Sequence, residues 1–151
     1  MILIKVTVLD SLYNTKLRMG GENALVQVVS HILSKDIDDK LKSGLPELVN
    51  EIGLINIEGK RRRNYSFASK YCHWHQLDSY PIYDSFVGHL LWTYCEQSSF
   101  TMFKRTELQQ YLQYKEIIKR FQEFFGLTQF NFKEIDKFLW SYGKEIFRSS
   151  I

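Results

Sequence analysis

The sequence predicts an all-α, compact multi-helix domain spanning residues 1–151. Two observations carry that expectation. Most segments repeat their apolar residues at helical spacing, and several are preceded by residues that cap or start helices. Only one segment alternates like a strand. It would have no partner, and a lone strand cannot satisfy its backbone.

That segment comes first. Ile2, Ile4, Val6 and Val8 alternate with Lys5 and Thr7, yet Leu3, Val6, Leu9 and Tyr13 also form a helical stripe. A helix ending near Thr15 is the reading adopted, against the β-branched side chains. Gly20–Gly21 breaks the chain. Asn23 to Ser34 is then helical, with Val26, Val29, Ile32 and Leu33 on one face. Asp36 to Lys42 is a short helix stopped near Gly44. Pro46 suits a first helical position, and Leu48, Val49 and Ile52 carry that helix to Gly53. Leu54 to Arg63 reads as a connection. Tyr65 to His75 is helical, and Pro81 ends the linker after it.

Asp84 to about Gln97 forms the next helix. Thr106 opens a long one, with Gln109 as its capping-box partner and Leu108, Tyr111, Leu112, Ile118, Phe121 and Phe125 as its stripe. Asn131 opens the last helix with Glu134 at the capping-box position. Ile135, Phe138, Leu139, Tyr142 and Ile146 line its inner face. No repeat or domain linker interrupts this order.

Composition narrows the function classes. At 44% hydrophobic and 25% charged, with two prolines, the chain is neither disordered nor of low complexity. No run of 18 apolar residues exists, so no membrane span is expected. The first residues lack a basic leader and a small-residue cleavage site, and the expected location is the cytoplasm. Two cysteines, Cys72 and Cys95, are too few for a disulfide framework and read as reduced thiols. The net charge of +3 is mild, but cations cluster at Lys60–Arg63, with weaker groups at Lys104–Arg105 and Lys119–Arg120 and with Arg148 near the end. His73 and His75 are two apart and cannot share an ion on a helix. Convergence of His31, His89 or Cys95 has no sign in the spacing, so neither metal nor cofactor is expected.

The stretch Ser66–Val87, SFASKYCHWHQLDSYPIYDSFV, concentrates the chemistry. Lys60, Arg61, Arg62 and Arg63 lead into a helix start, where free N–H groups and guanidinium groups suit a phosphate. Asn64 and Ser66 add side-chain hydrogen bonds. The plain alternative is a solvated basic loop. Asp84 begins a later helix, either as an N-cap or as a carboxylate that stabilises positive charge on a sugar, two roles that are compatible. Lys70 lies four residues after Ser66 on the same helix face. It is either a second polar group in a cleft or a surface lysine with a packed stem. Trp74 and Tyr83 are either core rings or stacking platforms for a base.

This pattern resembles the helix–hairpin–helix DNA glycosylase superfamily. Ala68 takes the place of the alanine in that family's Lys-Thr-Ala helix start, and Asp84 follows sixteen residues later, after Pro81 and before Val87. The resemblance covers roughly the first two-thirds of the chain. It implies a glycosylase-like fold and DNA as partner. It also implies a role in DNA repair, with base release by Asp84 assisted by Lys70, and phosphate contacts from Lys60, Arg61, Arg62, Arg63, Asn64 and Ser66. The departures are specific. Arg62, Arg63 and Asn64 stand where Gly-x-Gly occurs, Ser66 stands at the Schiff-base lysine position, and the four-cysteine cluster is absent. Two other readings stay open: a non-catalytic helical DNA- or protein-binding module, and an interaction protein that forms a homo-oligomer through its aromatic surface.

Overall fold

A computed structural model describes residues 1–148. Its contacts divide the chain into two compact units, Met1–Gln76 and a second from Leu77 onward. Both are built mainly of helices.

The first unit begins with α1, Ile2–Tyr13. The predicted helix is present, and Val6 and Leu9 are its buried apolar positions. Asp10 closes its C-terminal end: Oδ1 accepts from Thr15 Oγ1 at 2.7 Å and from Leu17 N–H at 3.0 Å. Asn14 turns left-handed there, at φ 48°. The next helix, α2 (Ala24–Leu33), buries Ala24, Val28 and Ile32, while Val26 and Leu33 face solvent. The expected stripe was thus rotated by part of a turn. Short helices α3 (Asp38–Lys42) and α4 (Glu47–Gly53) follow.

Leu54 to Arg63 is not a mere connection. It is an antiparallel hairpin, β1 (Leu54–Ile57) paired with β2 (Lys60–Arg63). Glu58 and Gly59 both have positive φ, 50° and 76°, the backbone of a two-residue turn whose twist matches its strands. Ile55 and Ile57 point inward and are buried. A four-residue strand carries too little alternation to stand out in the sequence, and its partner is wholly cationic. Helix α5, Tyr65–His75, has the predicted bounds. It lies close to α4 because Gly53 meets Ala68: a Cβ on Gly53 would be 3.3 Å from the Ala68 methyl. Asn64 N–H also donates to the Gly53 carbonyl at 2.8 Å.

The second unit contains α6 (Ser85–Ser98), α7 (Tyr111–Phe124) and α8 (Phe132–Arg148). Thr106 does not open α7. A short 3₁₀ helix, Arg105–Gln109, comes first, with the Glu107 carboxylate accepting from Lys104 N–H, and α7 starts at Tyr111. Leu112 is exposed, and Tyr111, Tyr114, Ile117, Ile118 and Phe121 form the buried face. Helix α7 ends in a left-handed Gly126, φ 65°, with Leu127 N–H donating to the Gln122 carbonyl at 2.7 Å. The capping box at α8 is present in both directions. Asn131 N–H donates to Glu134 Oε2 at 2.9 Å, and Glu134 N–H to Asn131 Oδ1 at 3.0 Å. Ile135 and Leu139 are buried, whereas Phe138, Tyr142 and Ile146 are substantially exposed.

Helix α8 crosses α6 at Gly143, where a Cβ would lie 3.0 Å from the Phe86 carbonyl oxygen. Alanine normally favours a helix over glycine by about 1 kcal/mol. Here the obstacle is backbone, which cannot swing aside, so Gly143→Ala is expected to destabilise by about 1–3 kcal/mol. A lowered denaturant midpoint checks this, and a raised one would show that the crossing yields.

His75 makes a second prediction. Its Nδ1–H donates to the Tyr71 carbonyl at 2.8 Å, and Nε2 faces Lys5 Nζ at 2.9 Å, so the ring is neutral and accepts from the ammonium. Burial, with a smaller contribution from the Lys5 charge, lowers its pKa below the ordinary 6.5. The unfolded chain therefore takes up this proton first. The stabilisation is fully present above pH 6.5 and is lost as pH falls from there toward the lowered folded value. Thermal melts of wild type and His75→Gln between pH 8 and pH 5 should converge as pH drops, because the variant lacks this term.

Candidate nucleic-acid interface

Strand alternation decides where the basic run points. In the register Leu54↔Arg63, Ile55↔Arg62, Asn56↔Arg61 and Ile57↔Lys60, the side chains of Arg61 and Arg63 share a face with Leu54 and Asn56. Lys60 and Arg62 share the opposite face with Ile55 and Ile57. Arg61 and Arg63 are exposed on the open face, and Lys60 is exposed at the turn. Arg62 is partly covered, its guanidinium 3.5 Å from the Met19 carbonyl. The expected basic loop is thus a strand with its cations divided two and two.

The hairpin is held from below. Glu58 N–H donates to Gln27 Oε1 on α2 at 3.0 Å, and the tip lies against Gly20, whose Cβ would be 3.0 Å from an Ile57 methyl group. Arg63 sits 4.4 Å over the Tyr65 ring, which orients its guanidinium. Between the hairpin and α2 lies an open depression of about 430 Å³, lined by Gln27, His31, Leu54, Ile55, Asn56 and Arg61.

Asn64 is the N-cap residue of α5, but its side chain makes no capping hydrogen bond. Ser66 is occupied: its hydroxyl accepts from Lys70 Nζ at 2.6 Å. Lys70 is not a surface lysine. It is only 3% exposed, with its ammonium 5.2 Å from the Tyr13 ring centre. On the same helix Cys72 is fully buried, and burial pushes its thiol up, away from reactivity. Burial also pushes the Tyr71 hydroxyl up to about 12. Trp74 is half exposed rather than a core ring, and its indole N–H donates to the Tyr13 hydroxyl at 3.0 Å.

Asp84 belongs to the second unit, whereas Lys70 and the cations belong to the first. It is the N-cap of α6, extended at φ −137° and ψ 151°, with Oδ1 accepting from Phe86 N–H at 3.0 Å. The carboxylate is half-buried. Sequence reasoning missed what fixes it. The linker carbonyls of Pro81 and Ile82 accept hydrogen bonds from the buried hydroxyls of Tyr111, at 2.8 Å, and Tyr114, at 2.5 Å. Two tyrosines at i and i+3 on the buried face of α7 were the available signal, because a buried phenol needs an acceptor. Tyr83 packs edge-on against Tyr114 and takes part in a hydrogen bond with Gln109. A pocket of about 240 Å³ lies beside these residues, lined by Tyr83, Ser85, Gly88, His89, Arg105, Leu108 and Gln109.

Cys95 is partly exposed, its thiol donating to the Thr101 carbonyl at 3.0 Å, and both cysteines are free. No three His, Cys, Asp or Glu side chains converge as metal ligands among the described residues. Among those residues, too, no helix is long and apolar enough to cross a membrane.

No solved structure matches the chain. An uncharacterised protein of Haemophilus influenzae is 41% identical over 150 residues, covering 99% of this chain and 69% of that protein. The family model HI_0787_N, described as an N-terminal domain, matches residues 1–79, which include the hairpin, α5 and Lys70. The chain belongs to this HI_0787_N family.

Proposed function

We propose that the chain is a DNA-binding protein of helix–hairpin–helix glycosylase type that grips the phosphate backbone through β2 and releases a modified base with Asp84. The observation that carries DNA binding is the strand itself. Lys60, Arg61 and Arg63 are exposed at fixed spacing on a hairpin anchored to α2. Cations held in register give up little conformational freedom on meeting a phosphate ladder, and each contact releases a counterion.

Base release needs a fixed carboxylate near a sugar. As the N-glycosidic bond breaks, its electron pair leaves with the base and positive charge builds on the sugar. The Asp84 carboxylate stabilises that charge and takes the proton of the water that adds at the anomeric carbon. The N-cap bond and the two tyrosine clamps support this role by fixing the carboxylate before substrate arrives.

A second reading keeps DNA binding without catalysis. It is favoured by Ser66 at the lysine position, and by Arg62 to Asn64, which are extended strand and helix cap where the family has a glycine turn.

Asp84→Asn separates the two. Asparagine caps a helix as well as aspartate, so Asp84→Asn keeps the cap, while Asp84→Ala should lose about 0.5–2 kcal/mol. In the catalytic reading, release of alkylated or deaminated bases from duplex DNA falls at least about a hundredfold in Asp84→Asn. Release that Asp84→Asn leaves unaltered, or a wild type that binds DNA and releases nothing, selects the second reading. For binding, Arg61→Ala and Arg63→Ala should each lower the slope of log K against log salt by about 1. Unchanged slopes would remove the hairpin from the interface.

A further inference from the structure

The depression beside Arg61 has a composition that phosphate contact alone does not require. Arg61 is one of its lining residues. No carboxylate pairs with that guanidinium among the described residues. Directly across the strand pair, Asn56 offers an exposed carboxamide with both a donor and an acceptor. Gln27 is oriented by its bond from Glu58 N–H, which occupies Oε1 and leaves the amide N–H₂ as its remaining donor. His31 is fixed likewise: Nε2–H donates to the Glu51 carbonyl at 2.7 Å, so Nδ1 is the ring's acceptor. Leu54 and Ile55 add apolar surface.

We infer that this depression is a subsite for one unstacked nucleotide, its phosphate on Arg61 and its base edge on Asn56 and His31. The inference rests on the nucleic-acid reading of the hairpin and deepens it. A carboxamide matches the paired donor and acceptor of an adenine edge, and an imidazole acceptor takes an exocyclic amino hydrogen. A volume of about 430 Å³ falls within the usual range of small-ligand sites, which starts at roughly 300 Å³. The base edge must be clear of its partner to enter, so the subsite favours single-stranded over paired DNA.

Fluorescence anisotropy with a labelled oligo-dA strand, and calorimetry with dAMP and with inorganic phosphate, test this on the whole chain. Asn56→Ala is expected to weaken oligo-dA binding about tenfold at every salt concentration without altering the salt slope, because it removes a base contact and no charge. Arg61→Ala weakens binding and lowers the slope. Arg61→Lys keeps the charge and restores the slope. dAMP should bind more tightly than inorganic phosphate. DNA binding that Asn56→Ala leaves unaltered overturns the subsite while leaving the phosphate grip standing. Inorganic phosphate binding as tightly as dAMP overturns the base contact. Binding of dAMP that needs Asn56, in a protein that ignores DNA, keeps the site as one for a free nucleotide and overturns the DNA reading. Binding of none of the three probes overturns both.

Discussion

The pairing of Leu54–Ile57 with Lys60–Arg63 is the constraint from which the proposed interface follows. Four adjacent cations repel one another, and in a loop they would spread into solvent with no preferred direction. Burying Ile55 and Ile57 fixes the register. The register puts Arg61 and Arg63 on the open face and Lys60 and Arg62 on the other. The turn at Glu58–Gly59 closes the hairpin, and Gln27 accepts the Glu58 N–H that the turn leaves pointing outward. Two buried isoleucines thus orient a strand made wholly of cations.

The same economy operates in the second unit. The linker before α6 is irregular and its carbonyls need donors. Tyr111 and Tyr114 supply them from the buried face of α7, which converts a flexible approach into a fixed one and sets the position of Asp84. Capping and chemistry then draw on one carboxylate, and Asp84→Asn can divide them because asparagine preserves only the first.

Long amphipathic segments were readable from the sequence. The bounds of α5, the N-cap at Asp84 and the capping box at Asn131–Glu134 follow from local rules that tertiary structure did not override. The hairpin was not readable. Its inner face sets two isoleucines beside Lys60 and Arg62, its outer face sets Leu54 beside Asn56 and two arginines, and Glu58–Gly59 is a weaker turn signal than Asn-Gly. Apolar stripes also misled at Val26, Leu33, Leu112 and Phe138, since periodicity shows which residues share a face and not which face is covered. Lys70 was misjudged for a different reason: a lysine is seldom buried, and the Tyr13 ring that faces its ammonium comes from a helix remote in sequence, while the Ser66 hydroxyl accepts its hydrogen bond.

The central claim is that DNA meets this chain at the hairpin. Amide chemical shifts followed while a short DNA strand is titrated into the labelled protein test it most directly. The account predicts that the largest shifts fall on residues 54–64 and on Gln27 and His31 of α2. Shifts concentrated elsewhere, with these residues unmoved at saturation, would contradict it.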